Sequence, residues 1–284
     1  MQDFVEAGAN IITTNTYQCN LEEFGYDEDA FKDFINKSVE VAKSSGAEII
    51  AGSIGPYAAK FKNGTSYTGI YNDIPNGIDE KDFLKKWHLP RIQCMIKNDV
   101  DILAFETCPK SIEGVVFSEL IQELQYPGFI CFQCRNENET AFGEKIEEVL
   151  DALVTSSYLI GVGINCVSLK YASKLMDKFV AFQKDYQLKN PNFKLEIIAY
   201  PNSGEVYNGQ NMEWIIDPDC KGNFIEHSEE FVKRGATIIG GCCRVFASDI
   251  RKLVECVKAK NGVSKKPNQK SNFLPNRNRT ETEI

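Results

Sequence analysis

A strand-then-helix rhythm repeated along 284 residues predicts an α/β fold, a TIM (β/α)8-type barrel with its first strand missing from this chain. Three observations predict it. Short apolar runs alternate with longer stretches of helical apolar spacing, which marks parallel βαβ units. The runs are apolar along their bodies, as strands buried on both faces are. Their C-terminal ends turn polar or sulfur-bearing, and that is the end where a barrel carries its chemistry.

The elements follow in order. Residues 2–8 read as the last turns of a helix stopped at Gly8, and Ile11-Ile12-Thr13-Thr14 as a strand. Residues 27–45 carry Phe31, Phe34, Ile35, Val39 and Ala42 at helical spacing. The next strand, 49–54, is followed by a helix over 79–97. A strand over 100–105 stops at Glu106-Thr107, and a helix follows over 111–124. Strand 129–133 leads to helix 144–153, and strand 159–164 ends at Asn165-Cys166 before helix 171–182. Strand 195–200 ends in Pro201-Asn202-Ser203-Gly204 and enters a loop rich in Asn, Gly and Asp. Helix 224–234, strand 237–239 and helix 248–258 complete the series. The barrel domain is expected over residues 1–260, and the polar Pro/Asn/Lys-rich stretch 261–284 as a disordered tail. Seven strands are one short of the eight a closed barrel needs, so the chain is expected to start inside the first helix. A doubly wound open sheet is the rival, but Ser53-Ile54-Gly55-Pro56 is no dinucleotide-binding turn.

Bulk properties narrow the function. The net charge of -8 argues against a nucleic-acid partner, which needs a basic patch. Apolar runs fall short of the roughly 18 residues of a membrane span. The acidic start Met1-Gln2-Asp3-Phe4-Val5-Glu6 is not a signal peptide, so a cytoplasmic, reducing setting is expected for the ten cysteines. The predicted partners are therefore small molecules, and the sequence leaves the oligomeric state open.

The stretch Ile238-Ile239-Gly240-Gly241-Cys242-Cys243-Arg244 puts paired thiols at a strand end. With Cys166 they make three sulfurs on one rim. Three thiolates can hold Zn2+ with a fourth position left for substrate. Neighbouring side chains of a regular strand point oppositely, so Cys242 and Cys243 can share a metal only if the backbone leaves β geometry, which Gly240 and Gly241 would permit. Buried structural thiols are the other reading, and spacing leaves both open. Cys131 and Cys134 have C-x-x-C spacing, but on a strand they face opposite sides.

Gly163-Ile164-Asn165-Cys166 and Gly240-Gly241-Cys242-Cys243-Arg244 together resemble the signature of the homocysteine S-methyltransferase family, with its betaine- and S-methylmethionine-dependent members. Gly8 to Tyr17, Ser53-Ile54-Gly55-Pro56, Phe105-Glu106-Thr107 and Tyr200-Pro201-Asn202-Ser203-Gly204-Glu205 match in the expected order, over about residues 5–258. The resemblance implies a zinc-bearing barrel that methylates the thiol of homocysteine to give methionine. Cys166, Cys242 and Cys243 then match the zinc ligands, and Glu106 the carboxylate that holds the amino acid's ammonium. The rim residues Thr14, Asn15, Ser53, Asn165 and Tyr200 are the further candidates for substrate contacts. An arginine-paired rim charge is the competing role for Glu106.

A thiol needs deprotonation to attack, and zinc achieves it near neutral pH. Three thiolates plus a substrate thiolate leave the Zn2+ site at a formal -2, which suits a cationic sulfonium or ammonium donor. S-methylmethionine is favoured over betaine. Tyr17, Tyr57, Tyr67, Tyr71, Trp87 and Tyr207 are the aromatic candidates for its cationic group. Two departures from the family pattern stand out: Val245 where Thr is common, and no Asp-Gly-Gly first strand. The alternative is therefore a non-catalytic zinc-binding homologue inactivated by loss of that strand.

Overall fold

Helices in this computed structural model wrap a single parallel sheet; it describes residues 1–192, 194–208 and 213–261. The sheet strands are β1 (Ile11–Thr13), β2 (Ile49–Ile54), β3 (Ile102–Cys108), β4 (Gly128–Phe132), β5 (Leu159–Asn165), β6 (Glu196–Tyr200) and, after an excursion, β9 (Ile238–Ile239). The helices are α1 (Gln2–Glu6), α2 (Glu28–Ser44), α3 (Glu80–Lys97), α4 (Ser111–Glu123), α5 (Ile146–Asp151), α6 (Leu169–Lys189), α7 (Phe224–Arg234) and α8 (Ala247–Asn261).

Strand order equals chain order, β1-β2-β3-β4-β5-β6-β9, and all pairings are parallel. That decides against the doubly wound alternative, whose strand order reverses at a switch point. Order without reversal is the order of a (β/α) barrel, here a curled half-barrel. Among the described residues β1 pairs only with β2 and β9 only with β6, so the sheet stays open between them.

Why these runs form the sheet follows from their two apolar faces. Every residue of β2, β3, β4 and β5 is buried. Ile49, Ala51, Ile102, Ala104, Phe129, Cys131, Ile160 and Ile198 form the inner cluster, completed by half-buried Ile11, Tyr200 and Ile238. The alternate positions, among them Ile50, Ile54, Leu103, Phe105, Ile130 and Phe132, join the larger core beneath the helices. In β5 the register against β4 shifts between the Gly128 and Phe129 pairings, which moves Val162 and Ile164 to the helix side. Gly163 then meets β6 so closely that a Cβ would lie 1.9 Å from the Ile198 carbonyl oxygen. Only glycine fits there.

Several expected bounds move. β3 begins at Ile102 rather than 100 and runs through Glu106 and Thr107 to Cys108, so Glu106 is a strand residue. α5 is shorter than 144–153, and α6 runs on to Lys189. The loop expected after β6 holds an antiparallel hairpin, β7 (Glu205–Asn208) with β8 (Glu213–Ile216), which brings Trp214 over the rim opposite Tyr207. Apart from Asn261, the last residue of α8, the expected tail 261–284 lies outside the described residues. No helix among the described residues is long and apolar enough to cross a membrane.

Candidate active site

The site begins where β5 ends. Asn165 closes the strand, and Cys166 turns the chain with φ 52°, a left-handed conformation uncommon for a side chain of its kind. Its amide donates to the Tyr200 carbonyl at 3.3 Å, so the turn is tied to the end of β6. The second thiol loop is stitched to the same place. Cys242 N–H donates to Pro201 O at 2.8 Å, and Ser203 N–H to Cys243 O at 3.2 Å. β9 ends at Ile239, so Cys242 and Cys243 sit on a turn and not on a strand, and the requirement for a departure from β geometry is met. The glycines do this differently from expectation. Neither Gly240 nor Gly241 takes a positive φ; the left-handed residue is Arg244, at φ 65°. Gly241 is needed for room, because a Cβ there would lie 2.2 Å from a Val245 methyl carbon.

The outcome is one sulfur cluster from two loops that are 76 residues apart in sequence. The Sγ atoms of Cys166, Cys242 and Cys243 all lie within 4.8 Å of one another. Cys166 and Cys242 are in disulfide contact, with Cα atoms 5.5 Å apart, and Cys166 Sγ is 3.8 Å from Cys243 Sγ. The last distance is the edge of a tetrahedron whose metal–sulfur bonds are about 2.3 Å. In the reduced state the three sulfurs are thus a fitting donor set for a thiophilic metal. Cys131 and Cys134 make no such pair: Cys131 belongs to the inner cluster and Cys134 to the outer core.

The sulfurs open onto a cavity of about 330 Å³. Its walls include Tyr17, Tyr67 and Trp214, and its polar groups include Glu106, Thr107 and Asn165. Tyr67 hydrogen-bonds Cys243 through its hydroxyl. Glu106 is the unusual group here. It is 8% exposed, accepts from Ser53 Oγ at 2.7 Å and from Tyr200 OH at 3.2 Å, and has no Lys or Arg within ion-pair distance among the described residues. The competing role, a rim charge paired with an arginine, is therefore not seen among the described residues. Burial raises its pKa, while the Ser53 and Tyr200 hydroxyls pull the other way. Lys62 also borders the cavity, but its ammonium pairs with Glu23 at 2.5 Å. The cavity therefore has a buried carboxyl group at one side and the sulfur cluster at another.

The structure sorts the other predicted residues. Ser53 and Tyr200 stand behind Glu106 and orient it. Asn165 holds Thr107 through both ends of its amide. Thr14 is committed elsewhere: its Oγ1 accepts from Ser53 N–H at 2.9 Å and lies 2.6 Å from Thr16 Oγ1, which itself donates to Ser53 O. Thr14 thus laces β1 to β2. Asn15 is exposed and lines a neighbouring cavity with Phe24 and Phe34. Of the aromatic candidates, Tyr17 and Tyr67 reach the cavity. Tyr57, Tyr71 and Trp87 pack edge to face, and Tyr71 and Trp87 are hydrogen-bonded to Glu80 and Glu22. The Tyr207 side chain lies outside what the structure describes. Trp214 and Ser66 are cavity residues that the sequence reading did not single out. A tryptophan in an otherwise Asn/Gly/Asp-rich loop was the available signal for the first, and Ser66 carried none.

A family model described as homocysteine S-methyltransferase matches residues 1–257. The chain belongs to the homocysteine S-methyltransferase family. It is an enzyme of this type. It is 32% identical over 279 residues to homocysteine S-methyltransferase 1 of Arabidopsis thaliana, with 90% of this chain and 81% of that protein covered. Against the betaine-homocysteine S-methyltransferase of Drosophila melanogaster it is 32% identical over 289 residues, covering 91% and 83%. Among solved structures it is similar to the metallated form of the Escherichia coli homocysteine methyltransferase MmuM, with a TM-score of 0.72, 25% identity and coverage of 90% and 82%.

Proposed function

We propose that this methyltransferase moves a methyl group from a sulfonium donor, S-methylmethionine in preference to betaine, to the thiol of homocysteine, with Zn2+ held by Cys166, Cys242 and Cys243. The observation that carries the reading is the pairing of two features in one cavity: a three-sulfur cluster and a buried carboxylate with no cation. Homocysteine is an amino acid with a thiol, and its two ends match those two features.

Cys166, Cys242 and Cys243 would hold Zn2+, which when bound would lower the pKa of a substrate thiol so that it is deprotonated at neutral pH. The protein's own residues do the rest. Glu106, fixed by Ser53 and Tyr200, accepts the substrate ammonium and sets the distance from the amino end to the sulfur end. Asn165 and Thr107 keep the ends of β5 and β3 in register, so the carboxylate and the sulfurs hold their spacing. Held together in this way, the reacting groups need lose little further freedom at the moment of reaction. Tyr17, Tyr67 and Trp214 give the cavity aromatic faces, which attract a sulfonium or quaternary ammonium methyl donor. Thiolates and Glu106 make the cavity anionic, and Lys62 is tied to Glu23, so a cationic donor suits it better than an anionic one. Residues 1–260 would form the homocysteine-binding barrel. Thiol ligands must stay reduced to bind, so a reducing compartment, the cytoplasm, goes with this reading.

The test is direct. Reduced, zinc-loaded protein is incubated with homocysteine and either S-methylmethionine or betaine, and methionine is quantified. Methionine from S-methylmethionine at the higher rate supports the proposal. Stoichiometric zinc without methionine from any cationic donor would overturn it and leave the zinc-binding, non-catalytic homologue.

A further inference from the structure

Behind the cavity wall lies a buried polar relay that no step above uses. Arg91, on α3, is 2% exposed, and His88 and Glu113 are fully buried. One Arg91 nitrogen donates to the Cys19 carbonyl at 2.9 Å and to the Tyr17 carbonyl at 3.3 Å. The other donates to the Gly55 carbonyl at 2.8 Å and to His88 Nδ1 at 2.8 Å. His88 must then carry its proton on Nε2, which donates to Glu113 Oε1 at 2.8 Å. The same Glu113 oxygen accepts from the Tyr57 amide at 2.5 Å.

The relay thus grips two rim loops from below: the loop after β1 at Tyr17 and Cys19, and the loop after β2 at Gly55 and Tyr57. These loops are fitted to each other. Gly55 N–H donates to the Tyr17 carbonyl at 3.1 Å, and a Cβ on Gly55 would lie 2.4 Å from that oxygen and 2.8 Å from the Tyr17 ring. Tyr17 in turn lines the cavity and hydrogen-bonds Thr107 and Ser66. Burying a guanidinium is costly. A planar fork that reaches several carbonyls at once is something lysine cannot replace.

We infer that Arg91 is a positioning residue for the substrate cavity: through the Tyr17, Cys19 and Gly55 carbonyls, and with His88 and Glu113 fixing its own orientation, it holds Tyr17 as the wall facing the sulfur cluster. The kinetic part of this inference rests on the function proposed above. Arg91 touches neither the sulfurs nor Glu106, so its loss should loosen substrate binding and leave the metal site intact.

The test uses Arg91→Gln and the milder Arg91→Lys, which keeps a buried cation but not the fork. Amide hydrogen exchange at Gly55 and Tyr57, zinc content, and kcat and KM for homocysteine are measured on the full chain. The expected result is faster exchange at Gly55, unchanged zinc, and a KM raised about tenfold with kcat changed less, as a slight misplacement of a binding wall gives. If Arg91→Gln does not fold, Arg91→Lys carries the test. Exchange at Gly55 as slow as in the parent, or faster exchange with an unchanged KM, overturns the inference. If the parent chain itself forms no methionine, the proposed function fails, and exchange at Gly55 still decides whether Arg91 holds this loop.

Discussion

Asn165 and Thr107 grip each other across the site. Asn165 Oδ1 accepts from the Thr107 amide at 2.6 Å, and Asn165 Nδ2 donates to Thr107 Oγ1 at 2.8 Å. Thr107 sits at φ 59°, next to Glu106, and Cys166 sits at φ 52°, next to Asn165. One amide therefore ties the left-handed residue of β3 beside Glu106 to the residue that precedes the left-handed turn at Cys166. Strained backbone of this kind persists only where its surroundings hold it. Asn165→Ala leaves a buried N–H without its acceptor and should lower stability by about 1–3 kcal/mol. Urea unfolding checks this, and an unchanged midpoint and slope would refute the clamp.

Glu106→Gln should separate function from stability. The amide can accept a hydrogen bond from an ammonium but cannot form an ion pair with it, so KM for homocysteine should rise about 10- to 100-fold, the equivalent of the roughly 1.5–3 kcal/mol of a charged hydrogen bond. Burial raises the Glu106 pKa, so the folded protein holds this proton more firmly than the unfolded chain does. Its contribution to stability is present below the unfolded carboxylate range and is lost as pH rises through the raised folded value. At neutral pH the ligand-free Gln variant should accordingly be at least as stable as the parent. A thermal melt that shows the variant clearly less stable at pH 7 would contradict this account.

Each of Cys166→Ser, Cys242→Ser and Cys243→Ser removes one of three sulfurs that stand within 4.8 Å of one another. Zinc measured by atomic emission after dialysis should fall from about one per chain to well below that in all three, since a hydroxyl is a poor substitute for thiolate. Chelation of the parent should abolish methyl transfer, and zinc with a reductant should restore it. Zinc retained by any of the three variants at the parent level would remove that residue from the ligand set.

His88 should make the fold sensitive to acid. Burial holds its pKa down to about 4, with Arg91 adding to the effect and Glu113 opposing it. The unfolded chain takes up a proton near pH 6.5 that the folded chain refuses until about pH 4. The stability contributed is full above pH 6.5 and is lost as pH falls through this window, to a total on the order of 3 kcal/mol. Urea unfolding between pH 7.5 and 4 should show a shallower decline for His88→Gln than for the parent. Equal slopes would place the acid sensitivity elsewhere.

Much of this was legible before any coordinates. β2 and β5 show as unbroken apolar runs because strands covered on both faces cannot afford polar positions. The gathering of sulfurs on the rim was legible for a related reason: Asn165-Cys166 and Cys242-Cys243 break those runs at the end where loops begin. The hairpin carrying Trp214 was not legible. Its strands are only four residues long, too short to show an alternation, and among the described residues they pair only with each other. Thr14 looked like a rim contact because its position on the strand matched, yet its hydroxyl is turned to Ser53 and Thr16.

Sequence by itself determined the βα order and the rim on which the polar and sulfur residues collect, because hydrophobic periodicity is a local property of the chain. Only the tertiary structure decided which rim residues meet. It brought Cys166 within 3.8 Å of Cys243, set Ser53 and Tyr200 on Glu106 with no cationic side chain beside it among the described residues, sent Asn15 to another cavity, and put Arg91 beneath Tyr17. Those meetings depend on strand register, on close approaches such as Gly163 against Ile198, and on left-handed turns at Thr107, Cys166 and Arg244. Each arises from contacts between residues far apart in the chain, where no local pattern records them.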